Sequence, residues 1–544
     1  MYINREFWTC RVFNPSVMHD ISLFCSLSVL FVLVYIKHRE LSSPQAKHPP
    51  GPKPVFLIGN ALQIPTASPQ FTFTKWLEEY GDMVYLRVFQ QPMLVLNSLE
   101  SARDLLHNRS SIYSDRPNFI LLRLMGWENA SPQVRYGPQF RRHRRFIQQT
   151  FNQSAIEELR PIQEKQISYL LQDIVGSPAH IDDHLRRFSA GIIMKVTYGA
   201  DVKSINDPLV QIAHHAELLT IESGTPSATL VDYIPALKYI PAWAPLAGFK
   251  RNAALVKEAV DTMFNVPYEM VKSQMTSGIV SSCMTSRLIA ACSPAGVTFL
   301  SPEDEEDIKA VAGTMHSASD DTTRCVLSTF ILAMVLHPQV FERAQAEMDR
   351  VIDLDRLPNL EDRDSLPYLE CVLKEACRWN VPIPLGMPHR LVDDDIYRDY
   401  HIPKGTTVMA NIHAILQNCS QPQLFRPERY MEDSHLPDPR DVIFGFGRRR
   451  VIENKLAIPS SILSLHSSRC PGRHFADRNV WLVAASLVSA TIIGKAEDDA
   501  GNEITPEAKF LDGFVRHPAS FPYSIKFRPE KISALNNWNA ALDV

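Results

Sequence analysis

Arg469-Cys470-Pro471-Gly472-Arg473-His474-Phe475-Ala476 sets one cysteine between a basic run and the start of an apolar helical pattern. A thiol that binds a metal must favour its ionised form. Neighbouring arginines do this by charge, and a helix N-terminus by its aligned peptide dipoles. Gly472 carries no side chain, so a flat group can lie close to its backbone. The stretch reads as a thiolate ligand to a metal in a flat cofactor; the competing reading is a buried, inert cysteine. Four distant stretches favour the first.

Upstream, Ser301 is a good N-cap, Pro302 suits the first helical position, and Glu303 and Asp304 fill the first turn. The pattern predicts one helix on to Leu336-His337-Pro338, about 50 Å long at 1.5 Å per residue. Inside it runs Gly313-Thr314-Met315-His316-Ser317-Ala318-Ser319-Asp320-Asp321-Thr322-Thr323. Ser, Thr and Asp compete for a helix's own hydrogen bonds, so such a run asks for a functional reason, a solvent-facing stripe being the alternative. Glu375-Ala376-Cys377-Arg378 places a carboxylate and a guanidinium three apart on one helix face, close enough to pair. Phe425-Arg426-Pro427-Glu428-Arg429-Tyr430 follows it. Nearer the N-terminus, Tyr136-Gly137-Pro138-Gln139-Phe140-Arg141-Arg142-His143-Arg144-Arg145 offers guanidinium forks suited to carboxylates, or else a solvated basic face.

Together these stretches resemble the cytochrome P-450 family of haem-thiolate monooxygenases. That family's Phe-x-x-Gly-x-Arg-x-Cys-x-Gly motif has its first half here as Phe444-Gly445-Phe446-Gly447-Arg448-Arg449 and its second as Cys470-Pro471-Gly472. Where the family has one residue between arginine and cysteine, this chain has Arg450 and then an atypical insertion, 451–469. Its content, as in Ile458-Pro459-Ser460-Ser461-Ile462-Leu463-Ser464, resembles neither flank, as an intron read in frame would. The resemblance implies a mainly α fold with a small β-region and a haem b whose iron is bound by Cys470. It implies Phe444 and Arg449 beside the haem, and Arg144 and His389 on its propionates, Arg144 through Phe140-x-x-x-Arg144 with Phe in place of the family's Trp. In Ala318-Ser319-Asp320-Asp321-Thr322 it makes Asp321 the acid and Thr322 the alcohol of a proton relay, with Ser319 replacing the glycine at which the family's helix kinks. Glu375, Arg378 and Arg429 become a structural network supporting the cysteine loop.

The likeness is greatest to fungal microsomal members of the O-methylsterigmatocystin oxidoreductase type. It implies insertion of one oxygen atom from O2 into a small apolar organic substrate, in secondary metabolism or xenobiotic oxidation, with NADPH electrons passed through cytochrome P-450 reductase. Two alternatives are a reductase-independent haem-thiolate isomerase or dehydratase, and a non-catalytic or haem-deficient member produced by the insertion.

Composition agrees with this class. The chain carries 56 basic and 60 acidic residues, which leaves no basic field for nucleic acid. Nine scattered cysteines make no disulfide framework, so a reducing, cytosol-facing setting is expected. Ile21 to Ile36 is an uncharged apolar run close to the roughly 20 residues that span a bilayer. Lys37, Arg39, Lys47 and Lys53 follow it and outweigh Arg5 and Arg11 before it, which orients the following domain to the cytosol. The expected organisation is a gene-model extension at 1–17, a single-pass endoplasmic reticulum membrane anchor at 18–40, a proline-rich hinge at 41–56, the haem-thiolate domain at 57–530 and a tail at 531–544. Met83–Val88 and Pro92–Leu96 predict a β-hairpin turning at Gln90-Gln91. The aromatic run between Ile234 and Pro245, with Tyr239 and Trp243, reads either as a clamp between helices or as a lipid-dipping segment. Asp512-Gly513-Phe514-Val515 reads either as a loop entering the substrate pocket or as a plain hairpin tip.

Overall fold

The computed structural model describes residues 47–224, 229–245, 247–279, 281–293, 300–447 and 469–542. The expected anchor and most of the insertion therefore lie outside the described residues, as does Arg449. Among the described residues, no single helix is long and apolar enough to cross a membrane.

The helices of ten residues or more are α1 Pro69–Tyr80, α2 Pro138–Phe151, α3 Arg160–Gly176, α4 Ile181–Tyr198, α5 Pro208–Ser223, α6 Gly248–Thr276, α7 Pro302–Leu336, α8 Pro338–Val351, α9 Pro367–Trp379, α10 Arg473–Ala490 and α11 Ile532–Leu542. Strands are few and short: β1 Met83–Val88, β2 Gln91–Leu96, β3 His389–Arg390 and β4 Thr407–Ala410 form one sheet in the order β1-β2-β4-β3, and β5 Thr491–Gly494 pairs with β6 Ser524–Phe527. The expected class, mainly helical with small sheets, is what the chain adopts.

Helix α7 is the axis of the core. Ser301 Oγ accepts from Asp304 N at 3.0 Å, so the anticipated cap forms, and the helix runs as continuous α-helix to Leu336. Ser319 keeps helical hydrogen bonding through the position where a glycine break was anticipated. Packed around α7 are α4, α6 and α10. The approach of α6 depends on Gly313, because a Cβ there would fall 2.1 Å from the Phe264 ring. After its exposed first turn α7 is buried at Ala310–His316 and again at Leu327 and Phe330–Val335, and Val311, Ala312, Met315, Leu327, Phe330 and Ile331 share one apolar cluster with Trp481 and Leu482 of α10. The hydrophobic effect over these two apolar stretches holds the helix in place.

Three sequence expectations need correction. The β1-β2 turn is Phe89-Gln90, since Val88 pairs with Gln91 and Phe89 takes the left-handed region at φ 51°, one residue earlier than the polar pair suggested. Tyr239 and Trp243 are 77% and 83% exposed, so they clamp nothing. The stretch set apart as a tail forms α11, which buries Ala534 and Leu535 in the main core and donates nothing to a flexible end; Lys531 before it is buried with Nζ on the carbonyls of Asp353 (2.7 Å) and Arg356 (3.1 Å).

A second compact unit comprises, among the described residues, 47–49 and 395–402. In it Asp395–Tyr397 pairs with Tyr400–Ile402, and His401 N donates to Lys47 O at 2.8 Å.

Candidate active site

The two halves of the cysteine motif meet. Cys470 N donates to Phe444 O at 2.9 Å, although residues 448–468 intervene. Before the gap, Gly445 turns at φ 77°, a conformation that favours glycine, and the Gly447 carbonyl lies 2.5 Å from His107 Nδ1. After it, Arg469 donates to Asp441 Oδ1 (2.8 Å) and Arg440 O (3.1 Å), while its own carbonyl accepts from Arg144 Nη1 (2.8 Å). Both flanks are thus fixed to the domain. Gly472 has φ −83°, so its value is space rather than backbone freedom: a Cβ there would meet only the Met315 methyl of α7, at 3.7 Å. Its open side faces α7.

Cys470 differs from the sequence expectation in one respect. Burial pushes its thiol up, and the Gly472 N–H and the charges of Arg144, Arg473 and Arg469 only partly offset this. The physical reason is the cost of a charged sulfur in the covered loop, which the arginines alone do not overcome. A metal ion at the sulfur removes the proton outright. Among the described residues no three His, Cys, Asp or Glu side chains converge as a metal cage, which suits a metal held within a cofactor.

The surrounding charges call for an anion. Arg144 of α2 is 4% exposed, and its Nε and Nη2 are buried without a partner among the described residues. Burial pulls it down to about 10, with Arg473 and Arg116 adding same-sign repulsion and Cys470 opposing. Arg116 is itself buried and pulled down to about 10, and it donates Nη1 to Pro388 O (2.8 Å) and Met387 O (3.1 Å). A buried guanidinium with vacant donors, as at Arg144, is costly unless a charge satisfies it. The antiparallel bridge between Asp115 and Arg390 brings Arg116 to the edge of the β1-β4 sheet, next to His389. His389 gives Nδ1 to Tyr113 O at 2.7 Å and is pushed down to about 3 by burial and then by Arg116, which leaves it neutral until an anion arrives. Arg144, Arg116 and His389 therefore fit the carboxylate edge of a cofactor lying against Cys470. Sequence reading missed Arg116, which sits between Asp115 and Pro117 in no periodic pattern.

Opposite, α7 opens. Ala318 is exposed and Ser317 and Ser319 through Thr322 are partly exposed, in the middle of a helix buried on either side. Thr322 Oγ1 donates to Ala318 O at 3.0 Å. Asp321 is reached by His517 and Arg324.

Glu375, Arg378 and Arg429 form a buried network, but it does not reach the cysteine loop it was expected to support. Arg378 meets both Glu375 oxygens at 2.8 Å and Arg429 Nε meets both at 3.0 Å, with Glu375 fully buried. Their remaining donors hold carbonyls of Ser420, Gln421, Pro422 and Leu424, so the triad fixes the coil before Arg429 rather than touching Cys470. Glu375→Gln should leave two buried guanidiniums short of a counter-charge and destabilise the fold by about 3–5 kcal/mol, read as a fall in denaturation midpoint or lost soluble yield.

Residues 49–465 match the family model for cytochrome P-450. The chain belongs to the cytochrome P-450 family. Similar proteins include cytochrome P-450 monooxygenase 176 of Postia placenta, 38% identical over 95% of this chain and 98% of that protein. Cytochrome P-450 monooxygenase 136 of the same fungus is 37% identical over 92% of each. Tryptamine 4-monooxygenase of Psilocybe cyanescens is 35% identical over 94% of this chain and 98% of its own length. This cytochrome P-450 is accordingly a fungal-type monooxygenase, an oxidoreductase that uses O2 and a redox partner, with haem b on a cysteine thiolate as its cofactor. The family match stops five residues short of Cys470, within the insertion.

Proposed function

We propose that this cytochrome P-450 inserts one oxygen atom of O2 into a small, largely apolar organic molecule, with NADPH electrons delivered by cytochrome P-450 reductase. The observation that carries this is the opening of α7 at Ser317–Thr322, which borders open space with hydroxyls and a carboxylate where the helix is otherwise sealed. Cys470 would bind the haem iron and Arg144, Arg116 and His389 would hold the propionates, with Phe444 and Arg449 as the further haem contacts that the family resemblance implies. Bound haem supplies oxygen activation, helped by electron density from the thiolate. Asp321 and Thr322 hold and move protons at the open face: Thr322 keeps its own proton on Ala318 O and can accept another hydrogen bond at Oγ1.

The site of action we assign is the endoplasmic reticulum membrane, through the single anchor at 18–40, with the catalytic domain in the cytosol. Exposed Tyr239, Trp243 and Leu230 support a surface that meets lipid. That a relative is named for tryptamine supports a substrate of similar size, in secondary metabolism.

The test is reconstitution with reductase in phospholipid vesicles. Product formation should require NADPH, and Thr322→Ala should raise the share of NADPH recovered as hydrogen peroxide several-fold while substrate affinity stays near wild type. Turnover that proceeds without NADPH would replace this reading with an isomerase or dehydratase.

A further inference from the structure

The loop after Lys509 is closed by an antiparallel bridge between Phe510 and Pro518 and by hydrogen bonds from Leu511 N to His517 O and Ala519 N to Lys509 O, each 2.8 Å. Arg516 pins it beyond the end of α9, its N on Pro382 O and its Nη1 on Asn380 Oδ1, both at 2.8 Å. So fixed, the next residue carries its ring to α7: His517 Nε2 lies 2.7 Å from Asp321 Oδ1. Arg324 Nη2 reaches the same oxygen at 3.2 Å, and Oδ2 has no hydrogen bond among the described residues. Burial would raise the Asp321 carboxyl, but His517 and then Arg324 outweigh it and hold it below the usual carboxylate range.

The other charges around this carboxylate are Asp320 and Arg324 on α7, Asp182 and Arg186 on α4, and His214 and Glu217 on α5. Arg324 is shared with Asp182, at 3.4 Å. Burial pushes Glu217 and Asp320 up, with repulsion from Asp320 and Asp321 adding to it at Glu217 and from Asp321 at Asp320, whereas Asp321 is held down. Accepting from both His517 and Arg324, Asp321 has the surroundings of a carboxylate, which must receive a proton before it can give one.

We propose that His517 positions Asp321 and supplies it with protons, a role that rests on reading Asp321 and Thr322 as the relay. Its side chain is 15% exposed, and Nδ1 has no partner among the described residues, so water reaches the ring on the side away from Asp321. Nδ1 takes a proton from water while Nε2–H passes its own to the Asp321 carboxylate, which becomes the acid. Asp321 releases that proton at the open face beside Thr322 and returns to the carboxylate; the ring then turns away and resets by exchange with water, which takes the Nδ1 proton and gives one to Nε2. No electrons move, and one proton is carried inward per cycle.

The test uses the haem-loaded full chain with reductase and NADPH, in His517→Ala, His517→Gln and Asp321→Asn. Hydrogen peroxide released per NADPH consumed needs no identified substrate, and it should rise several-fold in His517→Ala and Asp321→Asn. Amide hydrogen exchange of residues 509–519 should quicken in His517→Ala, which breaks the loop's bond to α7, and change little in Asp321→Asn, whose amide oxygen still accepts from Nε2–H. His517→Gln keeps an N–H donor but does not titrate. It should restore slow exchange yet still release excess peroxide, with the pH dependence of that ratio flattened relative to wild type. A glutamine variant with wild-type peroxide ratio and pH profile would reduce His517 to a packing residue and overturn the proposal. If Asp321→Asn raises peroxide and His517→Ala does not, the proposal falls while the relay reading stands; if neither does, both fall.

Discussion

Cys470→Ser should abolish the red-shifted absorption band of the reduced, carbon-monoxide-bound protein and reduce turnover to background. Serine matches the sulfur in shape but does not ionise at neutral pH or bind iron as a thiolate does, so loss of the band isolates the ligand atom. The remaining described cysteines make the controls. Cys325 is pushed up by burial and then by Asp321, and Cys377 is pushed up to about 12 by burial. Neither has the set around Cys470, where a Gly472 N–H and three arginine charges act on one sulfur. Cys325→Ala and Cys377→Ala should therefore keep the band. A band that survives Cys470→Ser would assign the thiolate elsewhere.

What the sequence made legible were features encoded within a few residues of one another. Ser301 and Pro302 announce the start of α7 because caps are local, and Glu375 and Arg378 pair because three residues bring them to one helix face. Arg429 joined them only through family resemblance, and the structure supplies the reason in the coil that both arginines hold. His517 was illegible: it is 196 residues from Asp321, in a loop whose path is set by Arg516 and Asn380. The electrostatic reading of Cys470 failed in sign for a related reason, since charge can be read from neighbours in sequence but burial cannot. The misplaced β1-β2 turn has a different cause, because Phe89 accepts a left-handed conformation that residue type argues against. Similarly, α11 is short and polar in places, and only its packing on the core shows that Ala534 and Leu535 are not the beginning of a free tail.

Excision of Val451 to Arg469 should raise both haem retention and reductase-driven turnover severalfold. The deletion joins Arg450 to Cys470 and restores the family's spacing without a substitution. It also preserves the local contacts, because an arginine still precedes the cysteine. Arg450 would inherit the Arg469 bonds to Asp441 and Arg440 O, and its carbonyl would take the Arg144 hydrogen bond. Thermodynamically the insertion is a mild burden: closing about twenty extra residues costs on the order of 2–3 kcal/mol, modest against the binding of a large cofactor. The Phe444–Cys470 bond shows that the cysteine can still be delivered to its place across the gap. Position is the greater handicap. The insertion's described flanks, Gly447 and Arg469, lie close to Cys470 in the chain or in space, the side on which we expect the reductase to dock, and the insertion separates Arg449 from Cys470 in the chain. The chain as written should therefore lose haem readily and turn over slowly. Haem per polypeptide measured as the pyridine haemochrome, with turnover compared at equal haem content, separates the two effects. Equal retention and equal turnover in both forms would show that residues 451–469 are a tolerated surface loop and that the two anchored flanks alone suffice to build the site.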